Sequence, residues 1–414
     1  MSPANSGGRN ILLLAYYYLP QITSGVQRAV RFAKYLPRSG YPTFVVCSNP
    51  GEGVSPLPRV AHVPNQATRI PKNSRLERLA VRVQRFLPYN EQLPWAPHAV
   101  AAGSAIYASD GLAAVISSSP PLSTHVAAWE LKRRYGLKWL ADFRDPLAGN
   151  PGRPRRWARP YDLALQFGIF ASADAVTTVT DVIANEWRQR YPRWARKFHT
   201  LWNGFDPEER LGPEPIPPRE YQILSHVGLL YAPRRPIALI NSIERLMSQG
   251  RLDAGKLRLR FIGEIPDSQS FYALPAVSAL MARGCLEALD QFIPRQQALH
   301  EIATSDFLLL LDIDNLSKTG YAVPAKLYDY ILMGRPILAS VREESPVERI
   351  LQQSGVPYVA LRPDDLPEDV DRKLLGFLSL DTRPVTVSEW FLENFDGEHQ
   401  AAYLSGLLES VLSH

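Results

Sequence analysis

The feature that most constrains this chain is an alternation. Short apolar runs bounded by turn residues are separated by stretches whose apolar residues recur at helical spacing. That pattern predicts parallel strands buried on both faces by crossover helices. The runs lie at residues 11–15, 43–47, 113–117, 138–141, 175–179 and 199–202, and again at 222–227, 257–262, 307–311, 337–341 and 357–360. Between the two sets, residues 203–219 carry Pro207, Pro213, Pro215, Pro217 and Pro218, a composition that holds neither a helix nor a central strand. Two doubly wound, Rossmann-like α/β domains follow, one over residues 1–205 and one over 206–385. A helical segment, 386–414, with Trp390, Phe391, Phe395, Tyr403, Leu407, Leu408 and Val411 apolar, is placed to cross back to the first domain. In such sheets ligands bind beyond the carboxyl ends of the strands, so two domains facing a cleft would put a site there.

Composition narrows the class. At 414 residues and 45% hydrophobic, the chain can bury a core in each domain. Its two cysteines, Cys47 and Cys285, lack CxxC or Cys/His spacing, which suggests neither a disulfide framework nor a zinc site and fits a reducing compartment. No apolar run approaches the roughly 18 residues of a membrane helix, and residues 11–19 read as a first strand rather than a leader. A cytoplasmic protein, peripheral at the inner face of the membrane, is the expectation. The net charge of +5 is mostly arginine and suggests an anionic partner.

The most informative segment is "GYAVPAKLYDYILMGRP", residues 320–336, after the run 307–311 and a polar loop. Pro324 suits the first turn of a helix, whose free amides and dipole can receive a diphosphate. Lys326 in that turn is badly placed for the dipole unless an anion is bound nearby. Asp329, one turn on, is placed to accept hydrogen bonds from sugar or ribose hydroxyls. In the first half, "DFRDP" gathers Asp142, Arg144 and Asp145 at one strand end, beyond the serine and proline turn that includes Ser119. Ionisable groups at the carboxyl end of a parallel strand lie where ligands bind. In the helix after Gly25, Arg28 and Arg31 fall off the core face and read as solvated. "LDIDN", with Asp312 and Asp314, has no further ligands behind it, and no metal is expected. A nicotinamide-dependent dehydrogenase is disfavoured because no GxGxxG follows a strand.

These segments resemble retaining glycosyltransferases of the GT-B fold, close to glycosyltransferase family four, and the resemblance covers nearly the whole chain. It rests on "PAKLYDYILMGRPIL", on "HVGLLYAPRRP" at 226–236, on "YYYLPQITSGVQRAVRFAKYL" and on 116–147. It implies transfer of a sugar from a nucleoside diphosphate sugar to an acceptor hydroxyl with retention, in bacterial polysaccharide or glycolipid assembly, with no cofactor beyond the nucleotide sugar. Asp329 would hold the donor ribose. Tyr321 stands where the family usually has a second acidic residue, beside Ala322 and Val323. The glycine loop at Gly228 would be followed by a basic residue on the diphosphate, Arg234 or Arg235, with spacing favouring Arg235. "FIGE" at Gly263 and "QFIP" at Ile293 would hold the base through backbone groups, and Gly25 would let the backbone approach a substrate closely.

Lys326, Arg235 and the helix amides would stabilise the leaving diphosphate. Asp142 is expected on the acceptor side, orienting or deprotonating a hydroxyl, with Gly25, Ser119, Arg144 and Asp145 around it. The partners implied are a nucleotide sugar, an acceptor glycan or lipid-linked glycan, and an anionic membrane surface, with no nucleic acid. For the membrane, residues 74–87 form a basic amphipathic pattern with Arg75, Arg78, Arg82 and Arg85, and Arg153, Arg155, Arg156 and Arg159 surround Trp157. A catalytically silent nucleotide-sugar-binding protein and a sugar-nucleotide epimerase of the same fold are the alternatives.

Overall fold

A run of five or six aliphatic residues flanked by turns has two faces to bury, and crossover helices above and below supply the cover. The computed structural model, which describes residues 8–21, 25–48, 58–65, 93–149, 159–209, 212–216, 218–312 and 322–413, has two sheets of this kind. The chain divides into one unit of Met1–Asn203 with Gly397–His414 and a second of Gly204–Asp396.

In the first unit, β1 (Ile11–Ala15), β2 (Thr43–Ser48), β3 (Val60–Val63), β4 (Ala114–Ser119), β5 (Lys138–Phe143), β6 (Ala175–Thr178) and β7 (Phe198–Thr200) form a parallel sheet ordered β3-β2-β1-β4-β5-β6-β7. β1 is buried throughout, with Ile11 opposite Thr43 on one side and Ala114 on the other. The helices are α1 (Val26–Tyr35), α2 (Ala96–Asp110), α3 (Ser123–Tyr135), α4 (Arg159–Ser172) and α5 (Asp181–Arg190).

In the second unit, β8 (Gln222–Val227), β9 (Leu257–Ile262), β10 (Leu286–Leu289), β11 (Phe307–Leu311), β12 (Ile337–Ser340) and β13 (Tyr358–Leu361) form a parallel sheet ordered β10-β9-β8-β11-β12-β13. Its helices are α6 (Ile237–Ser248), α7 (Ser268–Tyr272), α8 (Pro275–Ala282), α9 (Arg295–Ala303), α10 (Lys326–Leu332), α11 (Pro346–Gln353), α12 (Pro367–Leu378) and α13 (Glu389–Phe395). Leu224, Leu259, Phe307 and Leu309 from the sheet meet Leu239, Ile243, Leu374 and Phe377 from α6 and α12 in its core.

The last helix, α14 (Gly397–Leu412), belongs to the first unit, where Leu404 and Leu408 join the core of Ile11, Leu13, Phe32 and Leu140. β3 and β10 are absent from the expected strands. Both are four-residue edge strands, and "LEAL" has no strand alternation to betray it. Among the described residues no helix is long and apolar enough to cross a membrane.

Candidate active site

Each sheet reverses its strand order once, between β1 and β4 in the first unit and between β8 and β11 in the second. At such a switch point the loops beyond the two strands diverge and leave a crevice.

In the second unit the crevice is lined by the loop after β8, the end of β11 and the start of α10. Gly228 follows β8 at φ +118°, a conformation that favours glycine, and a Cβ there would lie 2.8 Å from Lys326 Nζ. Gly263 after β9 packs against it, its own Cβ position being 2.8 Å from the Gly228 carbonyl. The two glycines therefore let two strand ends and a lysine share one small space.

α10 is fixed to the end of β8 by residues one turn apart. The Tyr330 hydroxyl accepts from the Val227 amide at 2.8 Å. Lys326 Nζ lies 3.0 Å from His226 Nε2. His226 Nδ1 is 2.9 Å from the Leu309 carbonyl, which can only accept, so the proton sits on Nδ1 and the Nε2 lone pair receives the ammonium. Burial, then the neighbouring Lys326 charge, hold His226 well below its usual range and keep it neutral. Burial, then Arg234, lower Lys326 to about 7. Among the described residues no carboxylate lies within salt-bridge distance of Lys326. Arg234, stacked over Tyr231 at 5.1 Å, stands 3.8 Å from the buried Asp312. The crevice thus holds two cations close enough to repel, an arrangement an anion would relieve.

The adjacent Arg235 turns elsewhere, which corrects the choice made on spacing. Its guanidinium donates to Ser270 Oγ at 3.0 Å and to the Pro266 and Asp267 carbonyls at 2.7 and 2.9 Å, and it covers the Phe271 ring at 5.3 Å. It ties the loop after β9 to α7. Asp329 receives both Arg295 terminal nitrogens, at 3.0 and 3.1 Å. Ile293, in the turn before Arg295, is buried, as is Val323, while Ala322 is half-buried. Pro324 lies just before α10, its carbonyl accepting from the Leu327 amide at 3.0 Å. Tyr321 and Asp314 lie outside the described residues, as do residues 74–87 and 153–157.

In the first unit, Gly25, Ser119 and Arg144 come together. Arg144 donates to the Ser119 carbonyl at 3.1 Å and the Pro120 carbonyl at 2.6 Å, and a Cβ on Gly25 would sit 1.9 Å from its guanidinium. Asp145 is exposed to solvent. The protein around it raises its carboxyl, and the Arg144 charge offsets part of that rise.

Asp142 is different from expectation. It is fully buried and every lone-pair direction is used: Arg28 at 2.6 and 2.9 Å, Thr177 Oγ1 at 2.7 Å and Ser118 Oγ at 2.8 Å. Burial alone would raise its carboxyl, but the Arg28 charge and these hydrogen bonds hold it below the usual range. It has no free oxygen for an acceptor hydroxyl. Its partner corrects a second expectation, because Arg28 and Arg31 are buried rather than solvated. Arg28 also donates to the Trp202 carbonyl at 2.8 Å. His226, unremarked in the sequence, had one signal: a histidine inside an apolar strand run.

Residues 24–204 match the family described as Glycosyl transferase 4-like domain. The chain has the GT-B fold of glycosyltransferases. Sucrose-phosphate synthase from Thermosynechococcus elongatus is similar at TM-score 0.59 and 12% identity, over 98% of this chain and 96% of that one. Anabaena HepE in complex with UDP-glucose is similar at TM-score 0.58 and 12% identity, over 97% and 99%. The fold also serves another chemistry: UDP-GlcNAc 2-epimerase from Methanocaldococcus jannaschii is similar at TM-score 0.51 and 10% identity, over 97% and 99%. No curated protein matches the sequence.

Proposed function

We propose that this chain transfers a sugar from a nucleoside diphosphate sugar to an acceptor hydroxyl, with retention and without a metal, the second unit holding the donor. The observation that supports this most is the meeting of Lys326 and Arg234 at the β8–β11 switch point, against a glycine that leaves room for phosphate oxygens. Two cations meeting at such a crevice, Lys326 with no carboxylate within salt-bridge distance among the described residues, suit a diphosphate, and HepE was solved with UDP-glucose.

The chemistry follows from where charge develops. When the bond from sugar to diphosphate breaks, negative charge grows on the departing phosphate oxygens, and Lys326 and Arg234 stabilise it in place. His226 fixes the Lys326 ammonium so that it need not reorganise during the step. Asp329, aligned by Arg295, accepts from ribose hydroxyls. On the acceptor side Asp145, solvent-accessible and raised, is the better base than Asp142. The acceptor is a glycan or lipid-linked glycan, and the reaction runs in the cytoplasm in bacterial polysaccharide or glycolipid assembly.

The test is release of nucleoside diphosphate from UDP-glucose and related donors in the presence of glycan acceptors. Lys326→Ala and Arg234→Ala should each slow transfer per folded molecule on the order of a hundredfold. Arg235→Ala should instead lower the melting temperature with turnover per folded molecule retained. Wild-type rates in Lys326→Ala and Arg234→Ala would remove both from the reaction. An epimer formed from donor alone would replace transfer with epimerisation.

A further inference from the structure

α4 turns an apolar stripe to solvent. Pro160, Ala164, Phe167 and Ala171, spaced three and four apart, are all exposed, and the helix's one acid, Asp162, is buried. Phe167 is 52% exposed, a large apolar surface to leave in water. It is not isolated. The segment after α5 brings Trp194 to within 4.8 Å of the Phe167 ring, and Tyr191 to 6.4 Å of it. Lys197 anchors this segment on the end of α4, donating to the Ala173 carbonyl at 2.6 Å, so the aromatic group is held by structure.

The same segment carries Arg190, over the Tyr191 ring at 5.8 Å, and Arg193 and Arg196, all three exposed. Among the described residues no carboxylate lies within salt-bridge distance of any of them. An apolar ridge that meets Trp194 and Tyr191, in a segment whose exposed arginines have no carboxylate partner among the described residues, has the composition of a surface lying at a lipid–water boundary.

We propose that this face of the first unit seats the protein on an anionic bilayer, Phe167 and Trp194 entering the headgroup region while Arg190, Arg193 and Arg196 meet the lipid phosphates. The charge complementarity selects an anionic surface over a neutral one, since each basic residue near such a surface contributes on the order of 1 kcal/mol, about fivefold in partitioning. The inference does not depend on the transfer reaction, and its test uses no turnover.

The full chain is sedimented with vesicles of phosphatidylglycerol and phosphatidylcholine, and with phosphatidylcholine alone. Binding should need the anionic lipid, weaken with salt, and fall on the order of thirtyfold or more in Arg193→Glu/Arg196→Glu. A second measurement is independent of charge reversal. Phe167→Cys carries an environment-sensitive dye, selectively placed because Cys47 and Cys285 are buried, and its emission should shift to the blue on anionic vesicles. Equal partitioning of wild type and the double variant, or an unshifted dye on vesicles that do bind the protein, would overturn the proposal. So would equal binding to neutral vesicles.

Discussion

Lys326 is a cation kept close to losing its charge, and that gives its role a pH signature. Its ordinary value near 10.5 is lowered to about 7, first by burial and then by Arg234. A diphosphate prefers the charged form, so binding should draw a proton from solvent. Affinity for UDP or ADP should be highest below pH 7 and fall as pH rises above it, by up to about tenfold per unit. The ligand's own last phosphate ionisation lies near 6 and is complete in that range, so the slope belongs to the protein. Calorimetry in buffers of different ionisation enthalpy reads the proton uptake directly. Lys326→Arg, charged at every pH, should flatten the profile, and a wild-type slope in that variant would assign it to another group. Asp142 makes the opposite case. Removing one partner of a buried ion pair typically costs about 3–5 kcal/mol, because the other charge is left without compensation. Asp142→Ala should therefore lower the denaturation midpoint sharply, and its activity per folded molecule should not show a base's pH dependence.

The elements show what the sequence made legible and what it did not. Central strands announced themselves because burial on both faces demands unbroken apolar runs, as in "ILLLA" and "FLLLL". Edge strands bury less and carry less pattern, so β3 and β10 went unseen. Lys326 and Gly228 each carried a local signal, a cation in the first turn of a helix and a glycine after an apolar run, and the structure brings them together, a Cβ on the glycine lying 2.8 Å from Lys326 Nζ. Arg28 was misread because the partner that buries it is 114 residues away, and no helical spacing reports that. Arg234 and Arg235 are neighbours whose opposite directions are set by the loop. The glycine pair between β8 and β9 yields a sharper prediction than any of these. At Gly263 φ is +130° and a Cβ would meet the Gly228 backbone at 2.8 to 3.0 Å. Gly263→Ala should cost on the order of 1–3 kcal/mol in backbone strain and weaken nucleotide binding by displacing the loop against Lys326. Gly376→Ala, in an exposed turn of α12 with nothing within 4 Å, is the control. It should stabilise the protein by up to about 1 kcal/mol. Chemical denaturation of both variants checks the pair, and similar midpoints would mean that the strand ends yield freely.

For the whole molecule, the first unit is assembled from both ends of the chain. α14 covers the same core as β1 and α1: Leu404 and Leu408 are completely buried among Ile11, Phe32 and Leu140. Polar contacts fix its position, with Gln400 donating to the Trp202 carbonyl at 3.0 Å and the Tyr41 hydroxyl donating to Glu409 at 2.7 Å. Arg28 donates to that same Trp202 carbonyl, so the buried ion pair with Asp142 and the returning helix converge on the last residues before the chain leaves the unit. Burying each leucine contributes roughly 1.5–3 kcal/mol, a large share of the 5–15 kcal/mol that typically separates a folded domain from its unfolded chain. Residues 1–203 expressed alone should therefore fold poorly, exposing the face of α1 and β1 that α14 covers. The full chain with Leu404→Ala should lose about 2–5 kcal/mol, with the loss confined to the first unit. Hydrogen exchange followed by fragment separates the units: faster exchange in β1, β2 and α1, with β8 and β11 unchanged, is the expected pattern. Acceleration confined to α14 itself would show that the helix only decorates a unit that stands without it.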